Sequence, residues 1–358
     1  MKRTLSAVAG AVLLVASGAS SALTFNITFL ASTSAQGIQG FNDAAAVWSN
    51  LLSDNVTVNL TLGTAALGSG ILAQANSTRA TFSYTDFRTA LTADATSATD
   101  VQAVSSLPLG PSFGLMINRT TDNPNGANSA TPFLDTTGAN TQTIRMTTAN
   151  AKAAGLLGTT AANDATITFA TGFTYDFDRT DGVITPGTFD FVGLAIHEIG
   201  HALGFVSGVD VLVLNPTGFS SNAFTFVNSL DLFRYSVLSS TQSAFGKTGV
   251  LDFSADTRAK YFSLDNGVTA GPGFSTGSSS SFGDGRQASH WKDNLGLGVM
   301  DPTAGTGELL VITANDHLAF DAIGWNLATA VPEPGTYALF GLGLAAIGLR
   351  RRRTAAQS

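Results

Sequence analysis

His197-Glu198-Ile199-Gly200-His201-Ala202-Leu203-Gly204-Phe205 (HEIGHALGF) decides how this chain is read. A four-residue spacing sets two imidazoles on one face of a helix, one turn apart, so both reach a single metal ion. Glu198, beside the first, is placed as general base for a water that attacks a carbonyl. The chain has four histidines, and two of them stand in this stretch. Phe191, Leu194, Ala195, Ile199 and Leu203 cover the remaining faces of the predicted helix. Gly204 stands where a helix commonly stops, because glycine enters the left-handed region without steric cost. Gly200 inside the helix costs about 1 kcal/mol relative to alanine, so close packing is expected to require its missing side chain.

A hydrolytic zinc site takes three protein ligands and keeps one position open. The continuation HExxHxxGxxH would supply the third at position 207, where this chain has serine. The residues leave two alternatives. Asp210 is close by and chemically acceptable, either as a ligand or as a carboxylate that orients a histidine. His290 lies farther along in Ser289-His290-Trp291-Lys292, followed by Val299-Met300-Asp301-Pro302-Thr303. His317 follows Asn315-Asp316, a helix N-terminal pattern, and reads as structural.

Three separated motifs in this order resemble the leishmanolysin-like branch of the metzincin zinc proteases. In that branch an insertion separates HExxHxxGF from the third histidine, and a Ser-His-Trp segment precedes a methionine turn. Asp316 to Trp325 (DHLAFDAIGW) is similar to its closing helix, so the resemblance runs from about Thr166 to Leu327. It implies a zincin-type catalytic domain, His290 as third ligand and Met300 as the base of the methionine turn. There the polarizable side chain packs beneath the histidines without touching the metal. This chain departs from that branch in having no cysteine, no recognisable propeptide and an N-terminal third that does not align. Those departures bear on latency and substrate preference.

Both ends read as processing signals. Met1-Lys2-Arg3, the apolar run Leu5 to Ala16 and Ser20-Ser21-Ala22 form a secretory signal peptide over residues 1–22, cut after Ala22. Val331-Pro332-Glu333-Pro334-Gly335, an apolar stretch from Tyr337 to Leu349 and Arg350 to Arg353 closely resemble the PEP-CTERM sorting signal of exopolysaccharide-producing Gram-negative bacteria. For residues 331–353 that resemblance implies recognition by an exosortase-type enzyme and transient membrane insertion; residues 354–358 are a short tail. The apolar segment is shorter than the roughly 20 residues of a comfortable span, so snorkelling arginines are needed at its basic end. The expected location is the cell envelope, the cell surface or the extracellular matrix.

Hydrophobic residues make up 44% of the 358 and charged residues 12%, which indicates a folded body with a weakly charged surface rather than disorder. A formal charge of -7 without a basic run argues against a nucleic-acid partner. The absence of cysteine excludes disulfides, thiolate zinc sites and thiol catalysis.

Residues 23–330 read as one α+β zinc metalloprotease domain with a mixed sheet, an active-site helix and an irregular C-terminal half. Strands are expected over Thr24 to Leu30, Asn55 to Leu62 and Ala165 to Phe173; by analogy the last borders the cleft and pairs with substrate backbone. Helices are expected over Gly37 to Leu52 and around Phe87 to Leu91, the latter ended by a Thr/Ala/Asp-rich run, and Gly110 to Asn128 reads as mostly loop. Asp176, Asp178 and Asp181 in Tyr175 to Gly182 (YDFDRTDG) crowd onto a turn similar to calcium loops but one residue off the regular spacing. A solvated turn is the plainer reading, and Ca²⁺ the alternative.

The function expected is that of an exported zinc-dependent endopeptidase acting on a protein or peptide, with Glu198 as base. One rival is a surface or exopolysaccharide-matrix protein with a structural or vestigial zinc site. A second keeps hydrolysis but directs it at amide bonds of cell-wall material.

Overall fold

The computed structural model describes residues 23–214, 218–280 and 282–328, so the expected signal peptide and sorting segment lie outside the described residues. The chain divides into two compact units, Met1–Asn326 and Leu327–Ser358, and the elements below belong to the first.

Strands β1 (Thr24–Phe29), β2 (Thr57–Ala65), β3 (Ala73–Ser77) and a later strand (Ala165–Ala170) form a four-stranded sheet. β4 (Arg79–Ser83) follows β3, and three strands, β5 (Leu115–Ile117), β6 (Phe133–Asp135) and β7 (Thr143–Thr147), intervene before β8 (Ala165–Ala170). The sheet order is β1-β2-β8-β3. β1 pairs in parallel with β2 from Thr24↔Thr57 to Phe29↔Leu62, and β2 in parallel with β8 from Leu60↔Ala165 to Ala65↔Ala170. β3 closes the sheet antiparallel to β8, from Ala73↔Phe169 to Ser77↔Ala165. The result is a mixed sheet in an α/β body with eight α-helices among the described residues.

Helix α1 (Ala35–Leu51) starts at Ser34, whose side chain accepts from the Gly37 amide. Its apolar stripe buries Phe41, Ala44, Ala45 and Trp48. The helix carrying HEIGHALGF, Phe191–Ala202, packs against it and is capped by Asp190, which accepts from the Gly193 amide at 2.7 Å. Trp48 Nε1 donates to the Ile196 carbonyl at 3.0 Å, fixing one helix to the other one residue before His197. The Phe191 ring fills the space beside Gly40, where a Cβ would come within 2.8 Å of it.

The structure corrects three local expectations. The strand bordering the cleft is β3, since β8 is paired on both sides and has no free edge. The sequence of β3, AQANS, lacks the β-branched and aromatic residues that mark strands. The Thr/Ala/Asp-rich run does end α2 (Tyr84–Asp94), but it also opens α3 (Ala98–Ser106) through a capping box of Ser97 and Asp100. Within Gly110 to Asn128, mostly loop as expected, β5 forms a buried strand between Leu251–Asp252 and β6. The second half is irregular, as expected, with short strands and 3-10 turns.

A buried ion pair ties helix α4 (Thr148–Ala153) to the sheet. Lys152 Nζ lies 2.6 Å from Asp164 Oδ2 and donates to the Thr57 carbonyl at 3.0 Å, while Asp164 accepts from the Asn59 amide and the Thr148 hydroxyl. Removing one partner of such a pair strands a charge in the interior, so Lys152→Ala is expected to destabilise the fold by about 3–5 kcal/mol. Urea unfolding followed by circular dichroism measures this; an unchanged midpoint would show that the pair contributes nothing net.

Candidate metal centre

Helix α5, as we number Phe191–Ala202, supplies His197 and His201, and His290 arrives from a stretch 93 residues beyond His197. The Nε2 atoms form a triangle with edges of 3.0 Å (His197–His201), 3.1 Å (His201–His290) and 3.3 Å (His197–His290). Each Nδ1 faces a backbone carbonyl: His197 that of Val299 at 2.8 Å, His201 that of Phe205 at 2.7 Å, His290 that of Gln287 at 3.2 Å. A carbonyl only accepts, so each Nδ1 carries the proton and each Nε2 turns a lone pair inward.

Burial, first among the causes, lowers the pKa of His197 to about 4 and that of His201 to about 3, and lowers His290 well below the usual imidazole range. The proximity of the His201 and His197 rings, where a second positive charge would be repelled, adds to the lowering at His290. All three rings are therefore neutral at neutral pH, the form able to bind a metal. Three nitrogens bound at about 2.0–2.1 Å to a tetrahedral ion stand about 3.3 Å apart, which the observed edges match closely. These residues fit a divalent first-row metal. Among the described residues they are the one group of three or more His, Asp or Glu side chains assembled in this way.

Glu198 is buried on the wall of the same cleft, a cavity of about 950 Å³. Burial pushes its carboxyl up to about 8, against the Ala75 amide of β3, whose hydrogen bond lowers it. Its Oε2 is buried without a hydrogen-bond partner. Such an atom is costly unless something outside the chain completes it, and a bound cation nearby would favour its ionised form.

Beneath α5, Met300 is fully buried with its Sδ 2.5 Å from where a Gly200 Cβ would stand. That contact accounts for a glycine inside the helix. Gly204 ends α5 in the left-handed region at φ 121°. The turn before Met300 is held by Asp316, the N3 residue of helix Ala314–Ala322. One carboxylate oxygen accepts from the Val299 amide at 3.0 Å and the Thr313 amide at 2.7 Å, the other from Trp291 Nε1 at 2.9 Å. Asp316 thus positions the Val299 carbonyl that receives His197 Nδ1–H. The sequence pattern places this residue at a helix N-terminus and carries no sign of the second role. His317 in the same helix takes no part in the triad.

Asp210 stands outside the histidine group. Its carboxylate is occupied by the Ala288 amide at 2.6 Å, the Ser289 amide at 3.1 Å and the Ser289 hydroxyl at 2.5 Å, so it fixes the segment that presents His290. Ser207, at the position of the absent histidine, donates its amide to Ser289 Oγ at 2.8 Å and its hydroxyl to Asp231 at 2.6 Å. The fully buried Arg234 donates to the Ala288 carbonyl at 3.2 Å and to the Ser275 carbonyl. Asp231 and Arg234 carried no local signal in the sequence.

Asp176, Asp178 and Asp181 do not converge on a common point. Asp176 accepts from the Asp178 and Thr185 amides at 2.9 and 2.8 Å, Asp178 from the Thr180 amide at 2.9 Å, and Asp181 from the Val183 amide at 3.0 Å. Side-chain and backbone hydrogen bonds from Thr185 lower the Asp176 pKa, and those from Thr180 lower that of Asp178. These are Asp-mediated turns, and no calcium cage is assembled from them.

Residues 330–353 match the PEP-CTERM protein-sorting motif. The chain carries an export-sorting tail. The motif implies recognition by an exosortase-type sorting enzyme and marks an exported protein of the Gram-negative cell envelope. No curated protein and no solved structure matches the chain. Among the described residues no helix is long and apolar enough to cross a membrane; the segment Tyr337 to Leu349 lies outside them.

The two alternatives for the third ligand predict separate losses. His290→Ala should abolish stoichiometric metal binding, whereas Asp210→Ala, which only loosens the presenting segment, should weaken it about 10–100-fold. Competition with a graded series of chelators reads both values. Wild-type affinity in Asp210→Ala would remove the positioning role.

Proposed function

We propose that the protein is an exported zinc-dependent endopeptidase whose body is a zincin-type catalytic domain of the leishmanolysin-like metzincin branch. The observation that carries this reading is the convergence of three neutral imidazole lone pairs beside a buried, incompletely partnered carboxylate in an open cleft. When bound by His197, His201 and His290, zinc supplies Lewis-acid polarisation of the scissile carbonyl and lowers the pKa of water. Glu198 accepts the proton of the attacking water and returns it to the departing amine.

The free edge of β3 is suited to hold substrate backbone. The Leu72 carbonyl accepts from the Ala170 amide, so period-two alternation turns Gln74 and Asn76 toward β8 and Ala73, Ala75 and Ser77 outward. The Ala75 amide, facing Glu198, agrees with that alternation. An extended peptide then adds antiparallel to β3, with its scissile bond beside Glu198. A purely structural zinc site is closed by four protein ligands; here three ligands border a cleft, which favours hydrolysis over the matrix-protein alternative.

Casein digestion by the signal-free protein tests the reading, with the isosteric Glu198→Gln as control. Cleavage by the wild type and a loss of about 10²–10⁴-fold in kcat in the variant are expected, with metal content retained. Equal activity would discard Glu198 as base. Absence of cleavage of casein by metal-loaded protein would favour a matrix role or a cell-wall amide substrate, which peptidoglycan digestion then distinguishes.

A further inference from the structure

Arg79, the first residue of β4, lies just beyond the cleft edge strand and lines the cleft itself. It is half-buried, and burial is the main cause that lowers its pKa. Among the described residues, no carboxylate lies within ion-pairing distance of its guanidinium and no side-chain hydrogen bond is made by it. The acidic groups nearest in charge terms, Asp210 and Asp231, are committed elsewhere: Asp210 to Ala288 and Ser289, Asp231 to Ser207, Gly208 and Asn228. The other basic residue on the cleft wall, Arg286, is already paired with Asp293 at 2.9 Å.

A second cation worsens the imbalance. β4 pairs with β7 so that Arg145 stands opposite Thr81, which places Arg145 and Arg79 on the same face of the ribbon. Arg145 covers the Phe226 ring at 4.9 Å and its charge further lowers the Arg79 pKa. A half-buried guanidinium on a cleft wall, beside a like charge and without an acidic partner in ion-pairing distance, is open to an anion from outside. Five donors in a planar fork match a carboxylate in two-point fashion.

We infer that Arg79 forms an anionic subsite of the cleft that selects peptides carrying an Asp or Glu side chain on the N-terminal side of the scissile bond. This inference rests on the endopeptidase reading. Its direction follows from the strand: β3 runs from Ala73 to Ser77, so a peptide laid antiparallel to it leaves its N-terminal residues at the Ser77 end, toward Arg79. With Glu198 opposite Ala75 and a rise of about 3.3 Å per residue, the acidic side chain falls roughly two to four residues before the cut.

The test digests a proteome-derived peptide library with wild-type protein and with Arg79→Gln and Arg79→Lys, sequencing the products by mass spectrometry. Wild type should enrich Asp or Glu about tenfold at one of those positions; Arg79→Gln should bring the enrichment to about one, and Arg79→Lys should retain part of it. No acidic enrichment in the wild type, or the same enrichment in Arg79→Gln with a native melting curve, overturns the inference. A binding arm separates it from the peptidase reading: fluorescein-labelled Glu-rich and Gln-rich peptides are titrated into Glu198→Gln protein by anisotropy. Even if the library is uncut and the peptidase reading fails, tighter binding of the Glu-rich peptide that is lost in Glu198→Gln/Arg79→Gln supports the anionic subsite. Equal binding of both peptides contradicts it.

Discussion

Three acceptor nitrogens within 3.3 Å of one another repel unless each ring is neutral and a cation offsets their lone pairs. Much of the second half of the chain is arranged around that constraint. The protons that would otherwise crowd the centre are held outside it by the carbonyls of Val299, Phe205 and Gln287. Those carbonyls belong to three different turns, and each turn is fixed in its own way. Asp316 grips the Val299 amide, the chain reversal at Gly204 directs Phe205 back onto α5, and Asp210 holds the amides just after Gln287.

Buried charge is the price of bringing His290 to the other two. Asp231 and Arg234 are fully buried and Asp210 half-buried, and desolvation raises the pKa of the two acids and lowers that of the arginine. Their hydrogen bonds go mainly to backbone groups of the segments they join. Such a network gains little net stability over an apolar core, but a missing member leaves a buried charge unmatched, so it specifies one register for the presenting loop. Ser207 belongs to this network, which explains why a serine can stand where a continuous motif would have its third histidine.

What the sequence revealed about the site follows from distance along the chain. His197, Glu198 and His201 obey helical periodicity and needed nothing else. The requirement for Gly200 was readable as a packing demand, although Met300 as its cause was not. His290 could be preferred to Asp210 only through the resemblance, because no local pattern links residues on separate elements. β3 escaped notice since small polar residues serve an edge whose pairing partner alone makes it a strand. Ser97 and Asp100 do carry a readable capping signal, hidden in a run whose composition reads as loop. What Asp210, Asp231 and Asp316 hold in place emerges only after folding, for their partners are mainly main-chain amides distant along the chain. The acidic turn at Asp176 shows the converse: closely spaced carboxylates satisfied by their own backbone.

X-ray absorption at the zinc K-edge on purified, signal-free protein addresses the three-histidine centre most directly. The expected spectrum has three imidazole nitrogens at about 2.0–2.1 Å with a light oxygen donor, and the His290→Ala protein loses one imidazole shell or the metal itself. A wild-type spectrum with only two imidazoles, or metal-free protein after purification with zinc supplied, would contradict it.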